Sequence, residues 1–175
     1  SQVDGTRHMR KRLIKTGVSV TAAVLVAGCS PDPDPTAQAA TPGQIRETVR
    51  NTSAPLTLVH VWATWCDPCR EEFPELMEAY LAFRDDGLQL ILVSADDPAT
   101  EMDAVNTFLL QQHSPVGSLV STELNQEFVE AFSTNWAGAL PASFFFDANG
   151  TLVAEWQGKR SAEAYKETIQ RLLTP

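Results

Sequence analysis

Two cysteines three residues apart, Cys66 and Cys69, stand where an apolar, β-branched run gives way to a helical period, and no other stretch constrains the chain as much. Leu56 to Val61 reads as a buried strand, and Phe73, Leu76, Met77, Tyr80 and Phe83 recur at helical spacing over Pro68 to Phe83. A thiol is nucleophilic only as the thiolate, and a helix start supplies free backbone N–H groups and the positive end of the macrodipole to stabilise one at Cys66. Pro68 is tolerated there because a first-turn residue has no intrahelical use for its N–H. Asp67 opposes the thiolate through its own charge. Cys69, one turn further in, is placed to attack a mixed disulfide on Cys66, which makes Cys66 the attacking thiol and Cys69 the resolving one. The competing readings are half of a zinc site and a purely structural disulfide. Zinc would need two further ligands, and only Cys29 and three histidines remain.

The block His60-Val61-Trp62-Ala63-Thr64-Trp65-Cys66-Asp67-Pro68-Cys69-Arg70-Glu71-Glu72-Phe73-Pro74 resembles the thioredoxin superfamily, and within it the extracytoplasmic TlpA/ResA type; the similarity runs over about residues 43 to 173. It implies an α/β protein of thioredoxin-like fold, a central mixed β-sheet flanked by helices on both faces. The order of elements agrees. Strands at Leu56 to Val61 and Leu88 to Val93 alternate with helices at Gln44 to Arg50, Pro68 to Phe83 and Thr100 to Gln112. A short extended piece at Val116 to Val120 and a helix at Leu124 to Phe132 follow. Ala142 to Phe146 and Leu152 to Trp156 form a hairpin about Asn149-Gly150, and Ser161 caps a last helix to Leu173.

The N-terminal end reads differently. Residues 1–8 precede Met9 and are taken as a cloning remnant or an overlong start. Arg10, Lys11, Arg12 and Lys15 then lead into an uncharged run, Gly17 to Ala27, the pattern of an export signal over 9–28. Leu25-Val26-Ala27-Gly28-Cys29 resembles a bacterial lipobox, which implies lipid attachment at Cys29 and a membrane anchor, and Ser30 after it favours the outer membrane. Residues 29–42, rich in Pro, Ala, Thr and Gln, are expected to be a tether, with the folded domain over 43–175. Loss of 1–28 takes the formal net charge from −9 to −13. That balance argues against nucleic acid and against anionic lipid as charge-driven partners.

Resemblance also assigns the surroundings of the dithiol. Ala139-Leu140-Pro141-Ala142 matches the family's cis-proline segment, in which the backbone at Leu140 pairs with a partner peptide. Trp65, Asp67 and Pro68 complete the docking face. Glu72 matches a Cys-x-x-Cys-x-x-Glu pattern and His60 falls where plain thioredoxins carry a buried aspartate, so both are candidate proton handlers for Cys69. For His60, a hydrogen-bonded core histidine is the competing reading. The function implied is an extracytoplasmic thiol-disulfide oxidoreductase that reduces a disulfide-containing protein substrate, as in cytochrome c maturation. A membrane thiol-disulfide donor supplies its electrons, and it uses no cofactor beyond the Cys66–Cys69 disulfide and no metal. A disulfide-forming oxidase, a copper-delivery protein and a non-catalytic interaction module are the alternatives.

Overall fold

A computed structural model describes residues 35–174. The signal-like segment, Cys29 and Ser30 lie outside the described residues. The sheet has six strands in the order β1 (Ala37–Ala40), β4 (Ser118–Ser121), β3 (Leu88–Ser94), β2 (Leu56–Trp62), β5 (Ala142–Asp147) and β6 (Leu152–Gln157). The first four run parallel, while β5 and β6 are antiparallel to their neighbours. This is the mixed sheet of the thioredoxin-like fold.

Handedness explains where the helices lie. The crossovers through α2 (Asp67–Phe83) and α3 (Met102–Gln111) both step from β2 towards β4, whereas α1 (Pro42–Arg50) connects β1 to β2 in the opposite direction. Right-handed connections therefore put α2 and α3 on one face and α1 on the other. Packing follows this division. Leu58 and Trp62 of β2, Leu90 and Leu92 of β3, and Phe145 of β5 join Phe73, Leu76, Phe108 and Tyr165, the last from α5 (Ala162–Leu173). Val59, Val61, Ile91, Val93, Phe144 and Phe146 face the other way, towards Ile45, Val49 and the short α4 (Gln126–Glu130). Alternate residues of one strand feed two cores. Because β2 is covered on both faces, it is buried along its whole length, which is why it reads as a continuous apolar run.

Of the stretch expected as a tether, residues 37–42 belong to the fold. Ala37–Ala40 pairs in parallel with β4, and Thr41 caps α1 with a reciprocal Gln44 capping box. The fold thus begins before residue 43, and α1 starts at Pro42 instead of Gln44. The helix expected over Leu124 to Phe132 is confined to Gln126–Glu130, with Asn125 as its cap. The hairpin closes through a three-residue loop: Gly150 N–H donates to Asp147 O, Asp147 N–H donates to Thr151 O, and Gly150 takes a left-handed φ of 73°. No helix among the described residues is long and apolar enough to cross a membrane.

Candidate functional site: a disulfide at a helix start

Strand β2 ends at Trp62, and a short turn delivers Cys66 to the N-cap of α2 with extended backbone, φ −90° and ψ 98°. Cys66 and Cys69 form a disulfide, Cα to Cα 5.3 Å. Cys66 Sγ accepts the Cys69 N–H at 3.3 Å, so the first sulfur already receives one of the free N–H groups of the helix start. Exposure separates the two thiols: Cys66 retains 6 % of its surface and Cys69 none. An incoming sulfur can reach only Cys66.

Around it, Trp65 is 59 % exposed, Asp67 and Pro68 are exposed in the first turn, and Leu140 is half-buried. The Leu140–Pro141 peptide bond is cis. β5 pairs with β2 in a register that sets Ala142 opposite Val61, which brings Pro141 to the end of β2 from which the Cys66 turn departs. Trp136 Nε1 donates to Ala139 O at 2.8 Å and pins the approach to that proline. Cys66, Cys69, Trp65, Asp67, Pro68, Leu140 and Pro141 are therefore gathered at one end of the sheet.

Glu72 and His60 lie behind this face, both fully buried. Glu72 Oε1 accepts from Arg160 N–H at 2.8 Å and from the Tyr165 hydroxyl at 2.9 Å. His60 Nδ1 lies 3.0 Å from Ser143 Oγ, which is 2.7 Å from Tyr165 Oη. The remaining atoms, His60 Nε2 and Glu72 Oε2, face each other at 3.9 Å, and neither has a hydrogen-bond partner among the described residues. Burial disfavours charge here. It lowers the His60 pKa to about 3 and raises that of Glu72 despite the donors on Oε1. Tyr165 is pushed well above its ordinary value by burial and by the nearby carboxyl group.

The geometry makes His60 a buried ring bonded to Ser143, with its other nitrogen facing Glu72. Sequence reasoning missed Ser143 and Tyr165. A signal for Ser143 existed: a lone hydroxyl in the otherwise apolar Ala142 to Phe146, two residues after Pro141. It also missed Asp96, which is buried beneath the turn before Cys66. Among the described residues no group of three or more His, Cys, Asp and Glu is placed to hold a metal ion.

The family model described as AhpC/TSA family matches residues 24–155. The chain belongs to the AhpC/TSA family. A relative named thiol-disulfide oxidoreductase ResA, from Bacillus cereus, is 29 % identical over 114 residues, 65 % of this chain and 61 % of that protein. The protein of the same name from Bacillus subtilis is 25 % identical over 95 residues, 54 % of this chain and 49 % of its own length. The chain thus spans about three fifths or less of the curated relatives it matches. Among solved structures, a thiol:disulfide interchange protein of the thioredoxin family from Chlorobium tepidum TLS superposes with a TM-score of 0.59 at 21 % identity, over 84 % of this chain and 99 % of that one. StoA from Bacillus subtilis superposes with a TM-score of 0.53 at 23 % identity, over 67 % of this chain and 84 % of its own. At those identities the structures speak for the fold.

Proposed function

We propose that this chain is an extracytoplasmic thiol-disulfide oxidoreductase that reduces disulfides in secreted or periplasmic proteins. The observation that carries this reading is the pairing of an attackable Cys66 at a helix N-cap with a fully buried Cys69 one turn behind it, beside a cis-proline. In the reduced state the Cys66 thiolate attacks a partner disulfide, forming a mixed disulfide and releasing the partner's first thiolate. Cys69 gives up its proton and attacks Cys66 Sγ, which expels the partner's second thiolate and leaves the Cys66–Cys69 disulfide seen in the structure. Two electrons have passed to the partner, and a membrane dithiol donor restores them.

Glu72, buried one turn along α2 from Cys69, takes the proton that Cys69 cannot give to solvent. Leu140 and the edge beside Pro141 bind the partner's backbone, with Trp65, Asp67 and Pro68 around the reacting sulfur. Cys29 carries a lipid that tethers the domain to a membrane, the outer membrane in view of Ser30, and apocytochrome c is one class of client. The curated relatives' name supports the chemistry.

A Cys69→Ser variant tests the assignment. It should accumulate mixed disulfides through Cys66 with its partner, whereas Cys66→Ser should accumulate none; trapping by the second variant would reverse the roles. The reduction potential decides direction, since a value below about −220 mV supports a reductant and one near −120 mV sinks it. Cys29→Ala should release the protein from membranes.

A further inference from the structure

Among the described residues Trp65, 59 % exposed, and Leu124, 57 %, are the two most exposed of the large apolar side chains, and both open onto one groove of about 490 Å³ beside the Cys66 turn. One such side chain in solvent is ordinary, but two converging on a concavity next to a reacting sulfur mark a docking surface. Both walls are fixed before anything binds. Thr64, next to Trp65, is held by Asp96 through its N–H and its hydroxyl. Opposite, Ser121 Oγ donates to Glu123 O, and Asn125 Nδ2 donates to Glu123 Oε2 at 2.7 Å, which steadies the loop that carries Leu124. The rim is acidic: Asp97, Glu101 and Glu123 line the groove, and among the described residues no lysine or arginine does. Arg70 borders a separate groove with Thr64 and Phe108, and is paired with Asp67 at 3.7 Å.

Apolar walls under an anionic rim suit one class of side chain. A lysine or arginine lays its methylene stem along apolar surface while its head reaches the carboxylates, and the head also stacks favourably over an indole. A wholly apolar side chain would take water from the rim without replacing its hydrogen bonds, and an acidic one would be repelled. We propose that the groove between Trp65 and Leu124 selects the client: it takes a lysine or arginine within a few residues of the client's reacting cysteine, with the stem between indole and leucine and the charge against Asp97, Glu101 and Glu123. This names a client class for the oxidoreductase reading and rests on that reading. The same three carboxylates act at longer range, raising the encounter rate with a basic segment at low salt. Glu123 and Leu124 are specificity residues, one for the charge and one for the stem.

The test uses the full chain, reduced, and short peptides whose single cysteine carries 2-nitro-5-thiobenzoate, so that attack by the protein releases a coloured thiolate. The peptides differ at one position on either side of the cysteine, which holds lysine, norleucine, alanine or glutamate; norleucine has the stem of lysine without its charge. The readout is the ratio of rates between peptides on one protein, which cancels any change in the thiols themselves. Lysine should react about threefold faster than norleucine at low salt, norleucine about twofold faster than alanine, and glutamate slowest. The lysine-to-norleucine ratio should approach one at about 0.5 M NaCl. It should also fall in Glu123→Gln, whose amide oxygen still accepts from Asn125. Leu124→Ser should instead remove the advantage of norleucine over alanine. Both positions are exposed, and circular dichroism checks the fold. Lysine no faster than glutamate, norleucine faster than lysine, or a lysine advantage untouched by salt and by Glu123→Gln would overturn the groove. Four equal rates would do so while leaving the oxidoreductase reading intact, whereas no reaction with any peptide would overturn that reading and the groove with it.

Discussion

Asp96 holds Thr64 by two groups at once: its Oδ2 accepts the Thr64 N–H at 2.9 Å, and its Oδ1 accepts the Thr64 hydroxyl. Asp96 is buried just past the end of β3, and Ser94 Oγ donates to the same carboxylate. The turn that presents Trp65 and Cys66 therefore rests on a buried side chain whose two oxygens both accept hydrogen bonds. Asp96→Ala would strand the Thr64 and Ser94 donors, with an expected loss of about 2–3 kcal/mol. Urea denaturation of the oxidised protein measures it, and Cys66 in the reduced variant should alkylate faster as the turn loosens. Unchanged stability would show that these bonds are replaced by water.

Stability should depend on pH through His60 before the ordinary carboxylates matter. Its folded pKa of about 3 lies below the ordinary histidine value of 6.5, so between those values the unfolded chain binds the proton and the folded one does not. The His60 contribution is complete above pH 6.5 and is lost as pH falls towards 3, with a slope of up to about 1.4 kcal/mol per pH step. Glu72 has the opposite sign. Its pKa is raised, so the folded state holds a proton that the unfolded state has lost, and stability declines as pH rises from 4.5 through its folded value. Glu71 and Glu163, lowered by hydrogen bonds, add their losses only below their ordinary value of 4.5, and Asp147 only below 3.8. Urea midpoints between pH 6.5 and 4.5 report these two opposed contributions together, and His60→Asn should remove the imidazole's share of the slope.

Legibility followed the range of the contacts involved. The dithiol, its helix and the strand before it are specified within about thirty consecutive residues, whereas the continuous apolar runs of β2 and β3 left open which residues share a face. Pro141 was readable because its neighbours carry a local pattern. β1 was not: Ala37-Gln38-Ala39-Ala40 has no large apolar side chain, and what makes it a strand is backbone pairing with β4, residues far along the chain. The buried polar cluster behind the dithiol was unreadable for the same reason. His60 and Glu72 were singled out separately, but Ser143 becomes a partner only through the β2–β5 register, His60 opposite Ser143, and Tyr165 only through the packing of α5 beside α2.

That unforeseen strand is open to a direct test at Gly117. A Cβ there would lie 2.2 Å from Thr36 O, a backbone atom that cannot swing aside, and Thr36 O itself accepts from Ser118 N–H. Gly117→Ala should push β1 off β4 and cost about 1–3 kcal/mol. Hydrogen exchange would show lost protection at the backbone amides paired between Ala37–Ala40 and β4, with the amides of β2 and the Cys66–Cys69 disulfide unaffected. Uniform loss of protection would instead mean that β1 folds as one unit with the rest of the sheet.

Trp136 offers a way to disturb partner binding without touching the sulfurs. Its ring packs among Phe128, Phe132 and Phe144, while Nε1 donates to Ala139 O, two residues before Pro141. Phenylalanine preserves much of the packing and deletes the donor, so Trp136→Phe should cost about 1–2 kcal/mol from the lost hydrogen bond and the smaller ring. Because the freed carbonyl sits on the segment that leads to Leu140, that edge should become more mobile. Binding of a partner peptide by strand addition depends on a preformed edge, so the second-order rate with a protein disulfide should fall about three- to tenfold, mainly through KM. The Cys66–Cys69 potential depends on the helix start and the groups around it, and should stay at the wild-type value. An unchanged potential with a slower protein substrate, and an unchanged rate with a small disulfide that needs no edge, is the signature expected; a parallel loss with both substrates would place the effect at the dithiol instead.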